Sequence, residues 1–161
     1  MNGGTNLPTP CSFDPSDWQI LARCWYPIAP CADVGAAPYK AMLLDEKLIA
    51  YRVHGALVVA RDLCPHRGVP LSLGTNDGEG IVCAYHGLRY GAEGRCNRIP
   101  SAPAQRIPAK LKLNTFPAVE RYGLIWTCLL PATGAPPDLP AMPHWDEPDF
   151  QHIICPVFEI D

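Results

Sequence analysis

A chain of 161 residues, 48% hydrophobic and 18% charged, has the length and apolar content of one globular domain and no room for a second full catalytic domain. Thirteen basic residues against sixteen acidic ones leave a formal net charge of −3, so there is no excess positive charge to neutralise nucleic-acid phosphates. No run approaches the roughly 20 apolar residues that cross a bilayer, and the first ten residues show no export signal, so the expectation is a soluble, cytoplasmic protein that meets no membrane.

Residues 1–12, rich in Gly, Thr, Asn and Pro, carry no hydrophobic period and read as a flexible lead. Asp14-Pro15-Ser16-Asp17, followed by Trp18, Ile20, Leu21 and Cys24, predicts one short helix ended by Pro27 and Pro30. From Tyr39 the texture changes to strand-length apolar runs over 41–44, 48–53, 57–62 and 81–83. Asp45-Glu46-Lys47 and His54-Gly55-Ala56 separate the first three, which predicts an antiparallel meander. Two hairpins follow, 88–90 with 95–97 around Gly91 to Gly94, and 116–121 with 124–130 around Tyr122-Gly123. Six prolines within 131–148 preclude lasting regular structure and read as a linker, after which 152–161 is again strand-like. The fold class is all-β.

Eight cysteines stand at 11, 24, 31, 64, 83, 96, 128 and 155. Without an export signal they read as reduced, either as buried thiols or as metal ligands, and spacing decides between the two. Cys64-Pro65-His66 and Cys83-Ala84-Tyr85-His86 are a C-x-H and a C-x2-H separated by sixteen residues. Each follows a strand-like run and opens into a turn at Gly68 or Gly87, which places one thiolate and one imidazole on each of two adjacent loops. A tetrahedral zinc could use these four residues, but structural zinc sites usually pair like ligands at knuckle spacing. A two-iron cluster with two thiolates on one iron and two imidazoles on the other takes one of each from each loop, so the mixed order favours the cluster.

The two loops resemble the Rieske [2Fe-2S] motif. The similarity runs from Cys24-Trp25-Tyr26-Pro27, through residues 63–74, Tyr85-His86-Gly87-Leu88, Gly94-Arg95-Cys96 and Ile107-Pro108, to residues 120–126. Together these look like the N-terminal half of a Rieske non-haem iron terminal oxygenase, of the branch holding vanillate O-demethylase and phenoxybenzoate dioxygenase. The resemblance implies a Rieske-type antiparallel β-sandwich with a small cluster-binding subdomain and one short N-terminal helix. It implies Cys64 and Cys83 on the inner iron of the cluster, and His66 and His86 on the outer iron near the surface. It also implies a Rieske domain over 13–130, with 131–161 as a linker and the start of a missing catalytic domain.

In that family the cluster feeds electrons to a mononuclear Fe(II) held by two His and a carboxylate. His54, His144 and His152, the remaining histidines, do not form that pattern, so this iron is expected only in the missing domain. The implied function is one-electron relay inside an aromatic-compound monooxygenase, dioxygenase or O-demethylase. A reductase or ferredoxin would be the donor and the mononuclear-iron domain the acceptor, with room left for a homo-oligomer. A free-standing Rieske ferredoxin is the alternative, although a minimal carrier has little use for residues 131–161. A zinc-stabilised interaction module is the non-redox rival.

Two ferric ions, two sulfides and two thiolates sum to zero charge, so an added electron costs less than in a four-thiolate cluster. The potential rises from about −400 mV into the range of roughly −150 to +300 mV. Respiratory members carry an extra cysteine in each loop, where Val69 and Tyr85 stand here, and a hydroxyl donor where Leu88 stands. The resemblance therefore implies a potential near the low end. Among other residues, Arg67 is either a solvated charge or a contact to a partner's carboxylate, and Tyr85 and Tyr90 are candidate donors to a cluster sulfur. Cys96 and Cys128 read as core thiols, the tryptophans as packing, and His144 with Asp146, Glu147 and Asp149 as a polar loop.

Overall fold

In the computed structural model, which describes residues 7–134 and 136–155, the predicted helix forms over Pro15–Leu21 (α1). Asp14 caps it by accepting from the Ser16 amide at 2.8 Å, and Pro15 occupies the first turn, where its missing N–H costs nothing. Trp18 is the buried residue of the helix, and its indole N–H donates to the Leu44 carbonyl at 3.0 Å. Leu7, Cys11 and Phe13 pack partly buried beside it, and Asp45 accepts from both the amide and the hydroxyl of Ser12.

The strands are β1 (Tyr26–Pro30), β2 (Tyr39–Leu43), β3 (Glu46–Val53), β4 (Ala56–Arg61), β5 (Thr75–Asn76), β6 (Ile81–Val82), β7 (Arg89–Tyr90), β8 (Cys96–Arg98), β9 (Thr115–Phe116), β10 (Ala118–Arg121) and β11 (Leu124–Thr127). They form three sheets, ordered β1-β11-β10, β2-β3-β4-β9 and β5-β6-β7-β8, and every pairing is antiparallel. The fold is the expected all-β, antiparallel arrangement with one short helix. Among the described residues no helix is long and apolar enough to cross a membrane.

The predicted meander is β2-β3-β4. Its turns are tighter than the sequence spacing implied: Leu44 and Asp45 form the first, His54 and Gly55 the second, all with positive φ, as two-residue hairpin loops require. Period-two alternation lets β3 serve two cores. Ile49, Tyr51 and Val53 face the small third sheet, whereas Ala50 faces the β1-β11-β10 sheet and Leu48 faces Trp18 and Leu129. The same holds for β4, where Val58 and Ala60 face one side and Val59 the other.

Three elements differ from expectation. The predicted strand over 116–121 is split at Pro117: β9 pairs with β4, and β10 pairs with β11 in another sheet. Proline has no N–H for a ladder, so the chain changes sheets there, and the Thr127 hydroxyl donates to the Pro117 carbonyl at 2.8 Å. β1 contains the two prolines read as helix terminators. It is an edge strand whose register shifts between Pro27 and Ala29, the position where proline is tolerated. Residues 152–155 form no strand, which corrects the expectation for that part of 152–161, while 156–161 lie outside the described residues.

The proline-rich segment returns to the β10-β11 turn. Trp145 meets the Tyr122 ring edge-on at 5.1 Å between centroids, and the Met142 amide donates to the Tyr122 hydroxyl at 3.3 Å. Ile154 covers Gly123, whose φ of +70° closes the turn.

Candidate metal centre

The third sheet holds two loops at one end: loop 1, residues 62–74, between β4 and β5, and loop 2, residues 83–88, between β6 and β7. Their backbones close alike. The Cys64 amide donates to the Val69 carbonyl at 2.8 Å and the Gly68 amide to the Cys64 carbonyl at 2.8 Å. In loop 2 the Cys83 amide donates to Leu88 at 2.9 Å and the Gly87 amide to Cys83 at 3.0 Å. Cysteine and glycine thus hold equivalent places four residues apart, and the φ values of +71° at Gly68 and +67° at Gly87 complete the match. The histidines sit one position out of step in sequence, yet their rings lie 4.8 Å apart.

The side chains segregate by donor type. Cys64 is 2% exposed and Cys83 3%, both inside the core shared with Ile49, Leu71, Ile81 and Tyr90, whereas His66 and His86 are exposed. Burial pushes the Cys83 thiol up, and a hydrogen bond with Cys64 pushes the same way, while the backbone N–H groups of Tyr85 and His86 aim at its sulfur and pull it down. The Tyr90 hydroxyl stands 3.2 Å from the Cys64 sulfur. Tyr90 is fully buried, and burial followed by the Cys64 contact drives its pKa upward, keeping it a neutral donor.

These positions fit a two-iron cluster: two sulfurs together on the dry side, two imidazoles together on the wet side. Among the described residues no three His, Cys, Asp or Glu side chains converge on a single ion, whereas two irons ask for two protein ligands each.

Residues 24–117 match the family model for the Rieske [2Fe-2S] domain. The chain belongs to the Rieske [2Fe-2S] domain family. Its cofactor is a Rieske-type [2Fe-2S] cluster, and its role is one-electron transfer. The chain is 37% identical over 114 residues to methylxanthine N1-demethylase NdmA of Pseudomonas putida, a match covering 67% of this chain and 32% of that protein. It is 43% identical over 109 residues to a vanillate O-demethylase oxygenase subunit of a Pseudomonas strain, covering 66% and 32%. The solved structure of Pseudomonas putida CBB5 NdmA superposes with a TM-score of 0.74 at 31% identity, over 82% of this chain and 42% of that one. The chain therefore spans about a third of the length of these curated relatives.

Several parts of this Rieske site escaped the sequence reading. Ile99, Ser101 and Leu111 belong to a third loop, residues 99–111, and with His66, His86 and Leu88 they line a hollow of about 190 Å³. Buried Asp62 closes the base of loop 1, accepting from the Ser72 amide at 2.7 Å and from its hydroxyl at 2.6 Å. Its signal was present in sequence, an acid and a hydroxyl bracketing the first Cys-His pair, but nothing local says that they meet.

Of the two tyrosines, Tyr90 reaches a cysteine sulfur, whereas Tyr85 is 61% exposed and lies over the His86 ring at 3.8 Å. Arg67 is exposed and has no ion pair among the described residues. Cys96 and Cys128 are core residues that donate to the Arg98 and Ala22 carbonyls. His144 pairs with Glu147 at 2.7 Å and stacks on Phe150, away from the loops.

Proposed function

We propose that Cys64 and Cys83 bind the inner iron and His66 and His86 the outer iron, and that the chain is the Rieske part of a terminal oxygenase acting on an aromatic or heteroaromatic compound. The observation that carries this reading is the pair of loops closed by the same hydrogen bonds, which turns unequal C-x-H and C-x2-H spacings into two sulfurs inside and two rings outside. The two relatives described above are named a methylxanthine N1-demethylase and a vanillate O-demethylase oxygenase subunit, which supports the oxygenase setting.

When bound, the cluster supplies a one-electron couple with both irons saturated by ligands, so oxygen and substrate must react elsewhere. The chain's own residues set the terms of that transfer. Buried Ile49, Leu71, Ile81 and Leu88 exclude water from the sulfur side. Tyr90 and the Tyr85 and His86 amides donate toward the two cysteine sulfurs and favour the more negative, reduced state. Leu88 offers no hydroxyl where a further donor would stand, so the potential stays low in the Rieske range. The exposed imidazoles give the electron its way in and out.

On this reading a reductase or ferredoxin supplies the electron and a mononuclear iron outside the chain accepts it. Residues 13–130 form the cluster domain and 131–161 lead toward the acceptor domain. The six cysteines outside the proposed ligand pair form no disulfide, and Cys24 and Cys155 are exposed, which fits a reducing, cytoplasmic setting.

The test is iron and acid-labile sulfide analysis of anaerobically reconstituted protein, with EPR on reduction. Two irons and two sulfides per chain with a Rieske spectrum are expected, Cys64→Ala and Cys83→Ala each abolishing it. A colourless zinc-loaded protein without sulfide would overturn the reading.

A further inference from the structure

The charge of this chain is unevenly placed. Residues 63–119 hold seven basic and three acidic residues, a net of +4, while the rest holds six basic and thirteen acidic, a net of −7. The three acids of that stretch are all engaged: Asp77 and Glu79 pair with Arg89, and Glu93 pairs with Arg95. No acid occurs in residues 63–76 or 94–119, so loop 1 beyond Asp62 and the whole of loop 3 are free of negative charge.

Within residues 63–119, five cations have no ion pair among the described residues, Arg67, Arg98, Arg106, Lys110 and Lys112, and all five are exposed. Four of the five adjoin His66, Ile99 or Leu111, which stand at the histidine end. Arg67 follows His66. Arg98 and Lys110 precede Ile99 and Leu111, which line the hollow beside both histidines. Arg106 precedes Ile107, which packs on the core that contains Cys64 and Cys83. Lys112 stands next to Leu111, bridged across to Arg95.

We propose that this basic rim is the docking surface for an acidic electron-donor protein. The proposal rests on the electron-transfer reading above and adds the partner's chemistry. An acceptor held in the same assembly needs no long-range attraction, but a donor that finds the cluster by diffusion gains from it, and steering of this kind raises association rates by about 10- to 1,000-fold. On a chain of net charge −3, an acidic donor would otherwise be repelled at long range. The rim offers unpaired positive charge next to the exposed imidazoles. One electron leaves the donor's cluster and enters this one, with no atom transferred.

The test uses the full chain carrying its cluster and, as probe, a strongly acidic plant-type [2Fe-2S] ferredoxin in its reduced form. Stopped-flow reduction is followed as ionic strength rises from about 10 mM to 500 mM, which shortens the Debye length from about 30 Å to under 5 Å. The bimolecular rate is expected to fall at least tenfold. The triple variant Arg98→Glu/Arg106→Glu/Lys110→Glu should lose a similar factor at low salt, and titration calorimetry with oxidised ferredoxin should show the same weakening. Reduction by a neutral photoreduced flavin, which feels no steering, should change less than twofold.

A control with the same charge change elsewhere, Arg23→Glu/Lys40→Glu/Lys47→Glu, should keep most of the rate. Equal losses in both triple variants, or a rate indifferent to salt, would overturn the docking face. A chain that shows no Rieske EPR signal fails at the earlier step, before docking is measured.

Discussion

Tyr90 links the core to the chemistry of a single sulfur. Its hydroxyl stands 3.2 Å from the Cys64 sulfur, which on the proposed ligation to iron can only accept. Removing it with Tyr90→Phe takes one hydrogen bond from the more negative state, so the potential should drop by roughly 20–60 mV in film voltammetry, from a net bond worth of about 1 kcal/mol. An unchanged potential would leave Tyr90 as packing. Asp62 acts one step further out. Asp62→Ala strands the amide and hydroxyl of Ser72 and should cost about 2–3 kcal/mol of thermal stability. It should also speed cluster release to a chelator, while Ser72→Ala, which keeps the amide bond, should do about half as much. At this scale the four proposed ligands were legible in sequence because their spacing is itself the signal. Tyr90 was legible as one of two candidates, and only burial separated it from Tyr85.

Loops and strands carry their own predictions. Gly68 and Gly87 share a left-handed conformation, but a Cβ at Gly68 would find nothing closer than Leu63 Cδ1 at 3.9 Å, whereas at Gly87 it would meet Pro100 Cγ at 3.1 Å. Gly68→Ala should therefore cost about 1 kcal/mol and Gly87→Ala noticeably more, up to about 3 kcal/mol, in chemical unfolding of the two variants side by side. Between sheets, Arg52 on β3 binds Glu120 on β10, and that side-chain hydrogen bond holds the Glu120 carboxyl below its ordinary range. A carboxyl lowered on folding adds stability above its unfolded pKa and loses it as pH falls through the folded one. The stability gap between the parent chain and Glu120→Gln should be largest near neutrality, no more than about 1 kcal/mol for so exposed a pair, and should vanish in acid. The meander was readable from its alternation, but the division at Pro117 was not. One apolar run serves two sheets, and a proline marks only that pairing stops, not where it resumes.

At the scale of the whole molecule, the chain is expected to take up one electron and no more. Reductive titration of the loaded protein should consume a single equivalent per chain, and two or more would reveal a further redox group. The segment that reads as a free linker is held at its far end by Tyr122 and Gly123. Trp145→Ala should raise the rate of limited proteolysis within 131–155 severalfold without altering the EPR spectrum, since that contact lies at the β10-β11 turn and not at the ligand loops.

Fold class, cofactor and the four proposed ligands were legible in the sequence alone, because a metal site is written in residue type and spacing, and strands are written in alternation. Tertiary structure decided what depends on distant segments meeting: Asp62 with Ser72, Tyr90 with Cys64, and a third loop of unremarkable residues laid over the histidines. It also set Ile99 and Leu111, the sequence neighbours of Arg98, Lys110 and Lys112, beside both histidines. Charge is countable in one dimension, but a field exists only once the chain has placed its charges in space.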